Sequence, residues 1–144
     1  MTRHLVYWED LEEGSEVPPI TLEITRDRVV MIVCATRDIF PLHHDPEFAR
    51  AAGHKAPAVA IAFLQGLLAR CLTDWSGPTG KIQKISLNLK EPSYAGDTIT
   101  VGGRLSRKYV ESGDHKVDCE LRITNQDGTV TVDARATAVL PSKA

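Results

Sequence analysis

The spacing of apolar residues changes several times along the chain. Thr21-Leu22-Glu23-Ile24 alternates like a short strand, and from Thr25 onward Val29, Val30, Ile32 and Val33 fall at helical spacing. Thr25 is placed to cap that helix, and Asp27 lies in its first turn, where a carboxylate is favoured. The helix should end near Arg37 to Ile39, because Phe40 precedes Pro41 and a residue before proline is pushed out of the α region. Asp45-Pro46 joins an acidic N-cap to a proline at the first helical position, and Gly53 offers the matching C-terminal cap, so a short helix should lie between them.

From Pro57 the run AVAIAFLQGLLARCLTDW is apolar almost all round, with polar side chains at Gln65, Arg70, Thr73 and Asp74. A helix of that kind is expected to be buried on most sides. After Ser76-Gly77-Pro78 the period becomes two, with Ile85, Leu87 and Leu89 on one face and Ser86, Asn88 and Lys90 on the other. Three more strands are expected, from Thr98 to Tyr109, Lys116 to Thr124 and Thr129 to Leu140. They are joined at Glu111-Ser112-Gly113-Asp114 and at the hairpin turn Asn125-Gln126-Asp127-Gly128. Strands in such succession imply a four-stranded antiparallel meander. The expected fold is a single α+β domain over residues 1–144, an antiparallel sheet wrapped around a long central helix in the hot-dog manner. An open sheet with the helix laid on one face would give the same pattern.

Composition fits one core: 144 residues, 42% hydrophobic and 25% charged. With 17 basic and 19 acidic residues and no Lys/Arg run, the chain lacks the electrostatic footprint of a nucleic-acid or anionic-membrane binder. Cys34, Cys71 and Cys119 are widely spaced among apolar or strand-like neighbours, which suggests buried thiols in a reducing compartment and neither a disulfide framework nor a paired metal site. The N-terminal MTRHLVYWEDLEEG has acids where a secretory leader has its apolar region, and no stretch approaches transmembrane length. A cytoplasmic location is expected.

The residues with chemistry to offer cluster in RDIFPLHHD. Asp38 and His43 are five positions apart with Pro41 between them, so the chain must leave the helix and turn, and the two side chains can converge. A carboxylate and an imidazole in one small volume can hold a water between them and exchange its protons. Spacing alone leaves a plainer alternative open, in which Asp38 ends a helix and His43-His44 are surface turn residues. Asp45 has a sufficient structural role as an N-cap. A metal site built from His43, His44, Asp45 and His54 is disfavoured, because adjacent histidines in an extended segment point apart and neither HxH nor HExxH occurs. Ser86, Ser93 and Cys71 lie in no nucleophile motif.

Asp38-Ile39-Phe40-Pro41-Leu42-His43-His44-Asp45-Pro46 resembles the hydratase motif of the MaoC-like, (R)-specific enoyl-CoA hydratase family. The likeness continues without a gap through Phe48, Ala49 and Pro57, and the later strands with Gly96-Asp97 fit as well. The resemblance implies that Asp38 and His43 activate the water added across the α,β double bond of an acyl-CoA thioester, or run the reverse dehydration. It also implies a backbone N–H at the start of the long helix, here that of Ile61, as donor to the thioester oxygen, with Phe40, Pro57 and Ala60 near the substrate pocket. In two places the chain departs from the family pattern: Phe40 replaces the usual Asn, and Ala60-Ile61 replaces the common His-Gly. A backbone donor survives a change of side chain.

Ala35-Thr36-Arg37-Asp38, His43-His44-Asp45, Thr73-Asp74-Trp75 with Gly77-Pro78, and Pro92 and Tyr94 with Asp97-Thr98 are together similar to one branch, the small subunits of actinobacterial steroid side-chain hydratases. That resemblance implies a bulky, steroid-like acyl-CoA and a second MaoC-like subunit, as a homodimer, heterodimer or heterotetramer. It implies no cofactor, since CoA is part of the substrate, and no metal. An exposed sheet edge is a physical reason for assembly. Lys81, Lys84, Lys90, Arg104, Arg107 and Lys108 are the cations available for the CoA phosphates, each also readable as a solvated strand-face charge.

Overall fold

The computed structural model describes residues 5–143; residues 1–4, the start of the N-terminal segment read above, and residue 144 lie outside it. Strand β1 spans Glu16–Glu23 and is followed by helices α1 (Arg26–Thr36), α2 (Pro46–Ala51) and α3 (Ile61–Ser76). Strands β2 (Lys81–Leu89), β3 (Thr98–Glu111), β4 (Asp114–Thr124) and β5 (Val130–Val139) complete one five-stranded antiparallel sheet, in the order β1-β3-β4-β5-β2.

Several local expectations hold atom by atom. The Thr25 hydroxyl accepts from the Arg28 N–H at 3.2 Å and caps α1. Asp45 caps α2 with one carboxylate oxygen, which accepts from Glu47 N at 2.8 Å and Phe48 N at 3.1 Å. Both caps satisfy N–H groups that a helix start leaves without intrahelical partners.

Other expectations need correction. The first strand begins at Glu16, well before Thr21, and runs through Pro18 and Pro19. Proline cannot donate to a ladder, but β1 is an edge strand and its register shifts between Val17 and Ile20, so no N–H is required there. The expected four-stranded meander covers only β3 to β5. β2 crosses to the far side and pairs with β5, from Ile85 opposite Ala136 to Leu89 opposite Val132. The sheet consequently ends in two edges, β1 and β2, where one exposed edge was expected.

Helix α3 touches β1, β2 and β3. Since β1 and β2 are opposite edges of the sheet, contact with both requires the sheet to curl around the helix, which is the hot-dog arrangement. The core lies between them. Leu64, Leu67, Leu68, Leu72 and Trp75 of α3 meet Val101, Leu105, Val117, Cys119, Leu121 and Ile123 of β3 and β4. Ala134, Ala136 and Ala138 of β5 are buried as well, so large side chains of the helix oppose a row of small ones. The helix is not buried on most sides, as its composition suggested. Ile61, Ala62, Gln65, Gly66 and Arg70 are exposed, leaving an open face toward α1.

Candidate active site

The segment that carries Asp38 and His43 is shaped by the end of α1. Thr36 donates its hydroxyl to Ile32 O at 2.7 Å and accepts from Asp38 N at 3.4 Å, and Arg37 turns the chain through the left-handed region at φ 56°. Phe40 is extended ahead of Pro41, as its position before proline requires, and Pro41–His43 form one 3-10 turn. Asp45 N donates to Pro41 O at 2.8 Å and closes the loop.

This path brings His43 Nε2 to 3.4 Å from Asp38 Oδ2. The other ring nitrogen, Nδ1, lies 2.7 Å from the carbonyl oxygen of Ala58. A carbonyl oxygen can only accept, so Nδ1 carries a proton, and in the neutral ring Nε2 presents its lone pair toward Asp38. Two acceptors then lie side by side, where one O–H group seated next to them can donate to either. The side chain of His43 is 12% exposed while that of Asp38 is 43% exposed. The imidazole is therefore backed into the protein, and the carboxylate reaches solvent.

The surroundings are apolar. Phe40 stands edge-on to His43, with centroids 6.1 Å apart, and edge-on to Phe48 at 5.5 Å. Phe40, Phe48, Ile39 and Ile61 are all exposed, and Ile39 is 76% so. Pro57 and Ala60 are buried, in the same short segment as Ala58. Ile61 is the first residue of α3, and no side chain caps that helix, so its leading N–H groups are open to a ligand oxygen. Ala58, whose carbonyl holds His43, lies three positions before Ile61 and joins the pair to the start of α3.

His44 and His54, the other histidines of the disfavoured metal reading, go elsewhere. His44 Nε2 lies 3.1 Å from Ile39 O, pointing away from His43, and His54 Nδ1 lies 3.1 Å from the Tyr94 hydroxyl. Among the described residues no three His, Cys, Asp or Glu side chains converge into a group that could hold a metal ion. Of the six cations considered for the phosphates, Lys90 pairs with Asp133 at 3.6 Å and Arg104 with Glu120 at 3.2 Å. Lys108 donates to Leu11 O and Arg107 stacks on Tyr109, while Lys81 and Lys84 lie on the β2 edge strand. None of these contacts distinguishes a phosphate site.

Sequence reasoning did not anticipate the support behind the site. The buried Asp97 carboxylate accepts from Tyr94 N at 2.8 Å, and Tyr94 bridges Ala58. Val59 N donates to Ser93 O at 2.8 Å. The Gly96-Asp97 turn was a visible signal, but nothing in it shows that it braces residues 58–60.

Both the sequence and the fold of the chain are similar to those of known proteins. The chain is 39% identical, over 93 residues, to the 3-oxo-4,17-pregnadiene-20-carboxyl-CoA hydratase beta subunit of Mycobacterium tuberculosis, covering 65% of this chain and 72% of that one. Its fold matches a chain in the crystal structure of the ChsH1-ChsH2 complex from the same organism with a TM-score of 0.81 and 32% identity, over 90% of this chain and 98% of that one. It also matches the (R)-hydratase of A. caviae involved in PHA biosynthesis, with a TM-score of 0.83 and 25% identity, over 92% and 99% of the two chains. The sequence model of the MaoC-like domain matches residues 12–127, most of the chain, and on that ground the protein belongs to the MaoC-like domain family.

Proposed function

We propose that this chain is the catalytic subunit of an enoyl-CoA hydratase that acts on a bulky, steroid-side-chain-like acyl-CoA. The observation that carries the reading is the Asp38–His43 pair, held at 3.4 Å with Nδ1 committed to Ala58, within the motif of a hydratase family. The substrate class is supported by the 39% identity to a hydratase subunit whose name specifies a pregnadiene carboxyl-CoA.

In this mechanism a water seated beside the pair donates to Asp38 Oδ2 and His43 Nε2, which lie 3.4 Å apart. Its oxygen bonds to the β carbon, one of its protons passes to the pair, and a proton is delivered to the α carbon, so that the elements of water are added and nothing is oxidised or reduced. The N–H of Ile61 donates to the thioester oxygen as negative charge develops there, and loss of one such donor costs about 3 kcal/mol of transition-state stabilisation in other enzymes. No cofactor is needed, because CoA belongs to the substrate. A second MaoC-like subunit, or a second copy, completes the site in the cytoplasm. The three free thiols suit a reducing compartment.

The test offers enoyl-CoA substrates of increasing bulk to the chain alone and to the chain with its co-expressed neighbour, following enoyl absorbance and free thiol together. Loss of absorbance without thiol release is expected. Thiol release would mark a thioesterase instead, and no reaction in either arm would mark a non-catalytic partner.

A further inference from the structure

We infer that the groove between α1 and α3 receives the body of the acyl group, and that Gly66 is the residue that lets it lie there. The inference rests on the hydratase reading and names where its substrate extends. The groove encloses about 520 Å³. Met31, Ile32 and Ala35 form one wall, Ala62, Phe63 and Gly66 the other.

Its two ends differ in chemistry. At one end are Thr36 and Ala62. The Thr36 hydroxyl is hydrogen-bonded to the Asp38 backbone, and Ala62 follows Ile61 at the uncapped start of α3. At the other end are Arg28 and Arg70. From Arg28 to Thr36 and from Ala62 to Arg70 each wall runs eight residues of helix, about 12 Å. A thioester carbonyl at the Ile61 N–H and an alkene beside Asp38 would therefore send the rest of the acyl group into an apolar corridor of that length.

Gly66 supplies the second observation. A glycine inside a helix costs stability relative to alanine, and is tolerated when something must approach closely. Among the described residues nothing does so: a Cβ built on Gly66 meets no atom within 4 Å. Met31, on the other wall of the groove, is 62% exposed. The space is kept for an occupant outside the chain.

The arginines define its far end. Arg28 donates to Glu23 O at 2.5 Å, and Arg70 forms an exposed i,i+4 pair with Asp74 at 3.3 Å. Each retains further N–H donors, and both side chains are exposed. The matching ligand is an apolar acyl body about 12 Å long that ends in a keto or carboxylate oxygen.

Gly66→Leu fills the corridor while favouring the helix, and Ala35→Phe fills it from the opposite wall. In the protein as isolated with any co-purifying partner, each should lower the ratio of kcat/KM for a long or polycyclic enoyl-CoA to that for crotonyl-CoA at least 30-fold, mainly through KM. Arg70→Gln should lower about tenfold the preference for an acyl group with a terminal keto or carboxylate oxygen over its methyl-ended match. An unchanged ratio in both groove variants overturns the inference. So does a change in sedimentation mass without a change in the ratio, which would make the groove a subunit interface. If the wild-type protein hydrates no enoyl-CoA, the hydratase reading fails, and calorimetric binding of a saturated long-chain acyl-CoA decides the groove separately. Binding that Gly66→Leu weakens at least tenfold upholds it, and binding that Gly66→Leu leaves alone overturns it.

Discussion

His43 and Ala58 meet through a 2.7 Å contact between Nδ1 and the backbone carbonyl, linking two segments fifteen residues apart. Because the carbonyl cannot donate, this one contact fixes which nitrogen of His43 is free and turns it toward Asp38. His43→Ala and Asp38→Asn should each lower hydration turnover about 10²–10⁴-fold, the usual contribution of a positioned acid or base. The Asp38 carboxylate is 43% exposed and reaches solvent, so the melting temperature of Asp38→Asn should stay near that of the parent protein. Rates from enoyl absorbance, read beside a thermal melt, check both statements; full activity in either variant would refute the mechanism.

Asp45 lies two residues beyond His43 and resembles a third catalytic group, yet its carboxylate is already used by Glu47 N and Phe48 N. Asp45→Ala should cost about 1 kcal/mol of stability, the typical loss of an N-cap. That corresponds to about 3–5 °C in melting temperature for a chain of this size. Turnover of crotonyl-CoA should remain close to that of the parent protein, while Asp45→Ser should recover most of the stability.

Local chemistry made part of this structure legible in advance. The caps at Thr25 and Asp45, the end of α1 before Phe40-Pro41 and the convergence of Asp38 with His43 each follow from a few neighbouring residues. Pairings between distant segments have no such signature. β2 alternates just as a meander strand would, and only the closure of the sheet around α3 decides that it pairs with β5. The Pro18-Pro19 pair reads as a break until β1 is known to be an edge with a bulge. The acceptor that orients His43 is a backbone carbonyl, which any residue at position 58 would supply. Composition could not reveal the open face of α3 either, since Ala62 and Gly66 are as apolar there as in a core.

Two glycines should respond in opposite ways to the same added methyl group. At Gly66 a Cβ meets nothing, and Gly66→Ala should stabilise the protein by about 1 kcal/mol. Gly103 lies between Val17 of β1 and Leu121 of β4, and a Cβ there would collide with the backbone carbonyl of Glu120. Neighbouring backbone in the middle of a ladder cannot move aside, so Gly103→Ala should cost about 3 kcal/mol by overpacking. Urea unfolding of the two variants decides both signs at once.

The three thiols give a dependence on alkaline pH. Cys34 is exposed, whereas Cys71 and Cys119 are buried in the core. Burial, with Asp74 a lesser cause, pushes the Cys71 thiol up to about 11; burial, with Asp118 and then Cys71 as lesser causes, pushes Cys119 up to about 12. A thiol's ordinary value is 9.0. Below that pH both thiols are neutral in the folded and unfolded chains, and their contribution to stability is fully present. Above it the unfolded chain releases protons that the folded chain retains, so stability falls as pH rises from about 9 and the contribution is lost as pH passes about 11 and then about 12. Urea midpoints should therefore decline more steeply above pH 9 in the parent protein than in a Cys71→Ala, Cys119→Ala double variant, after allowance for its lower starting stability. At pH 8 a disulfide reagent should modify one thiol per folded chain and three after denaturation, because only a thiolate attacks and only Cys34 is accessible. Rapid modification of all three in the folded protein would contradict the core assigned to Cys71 and Cys119.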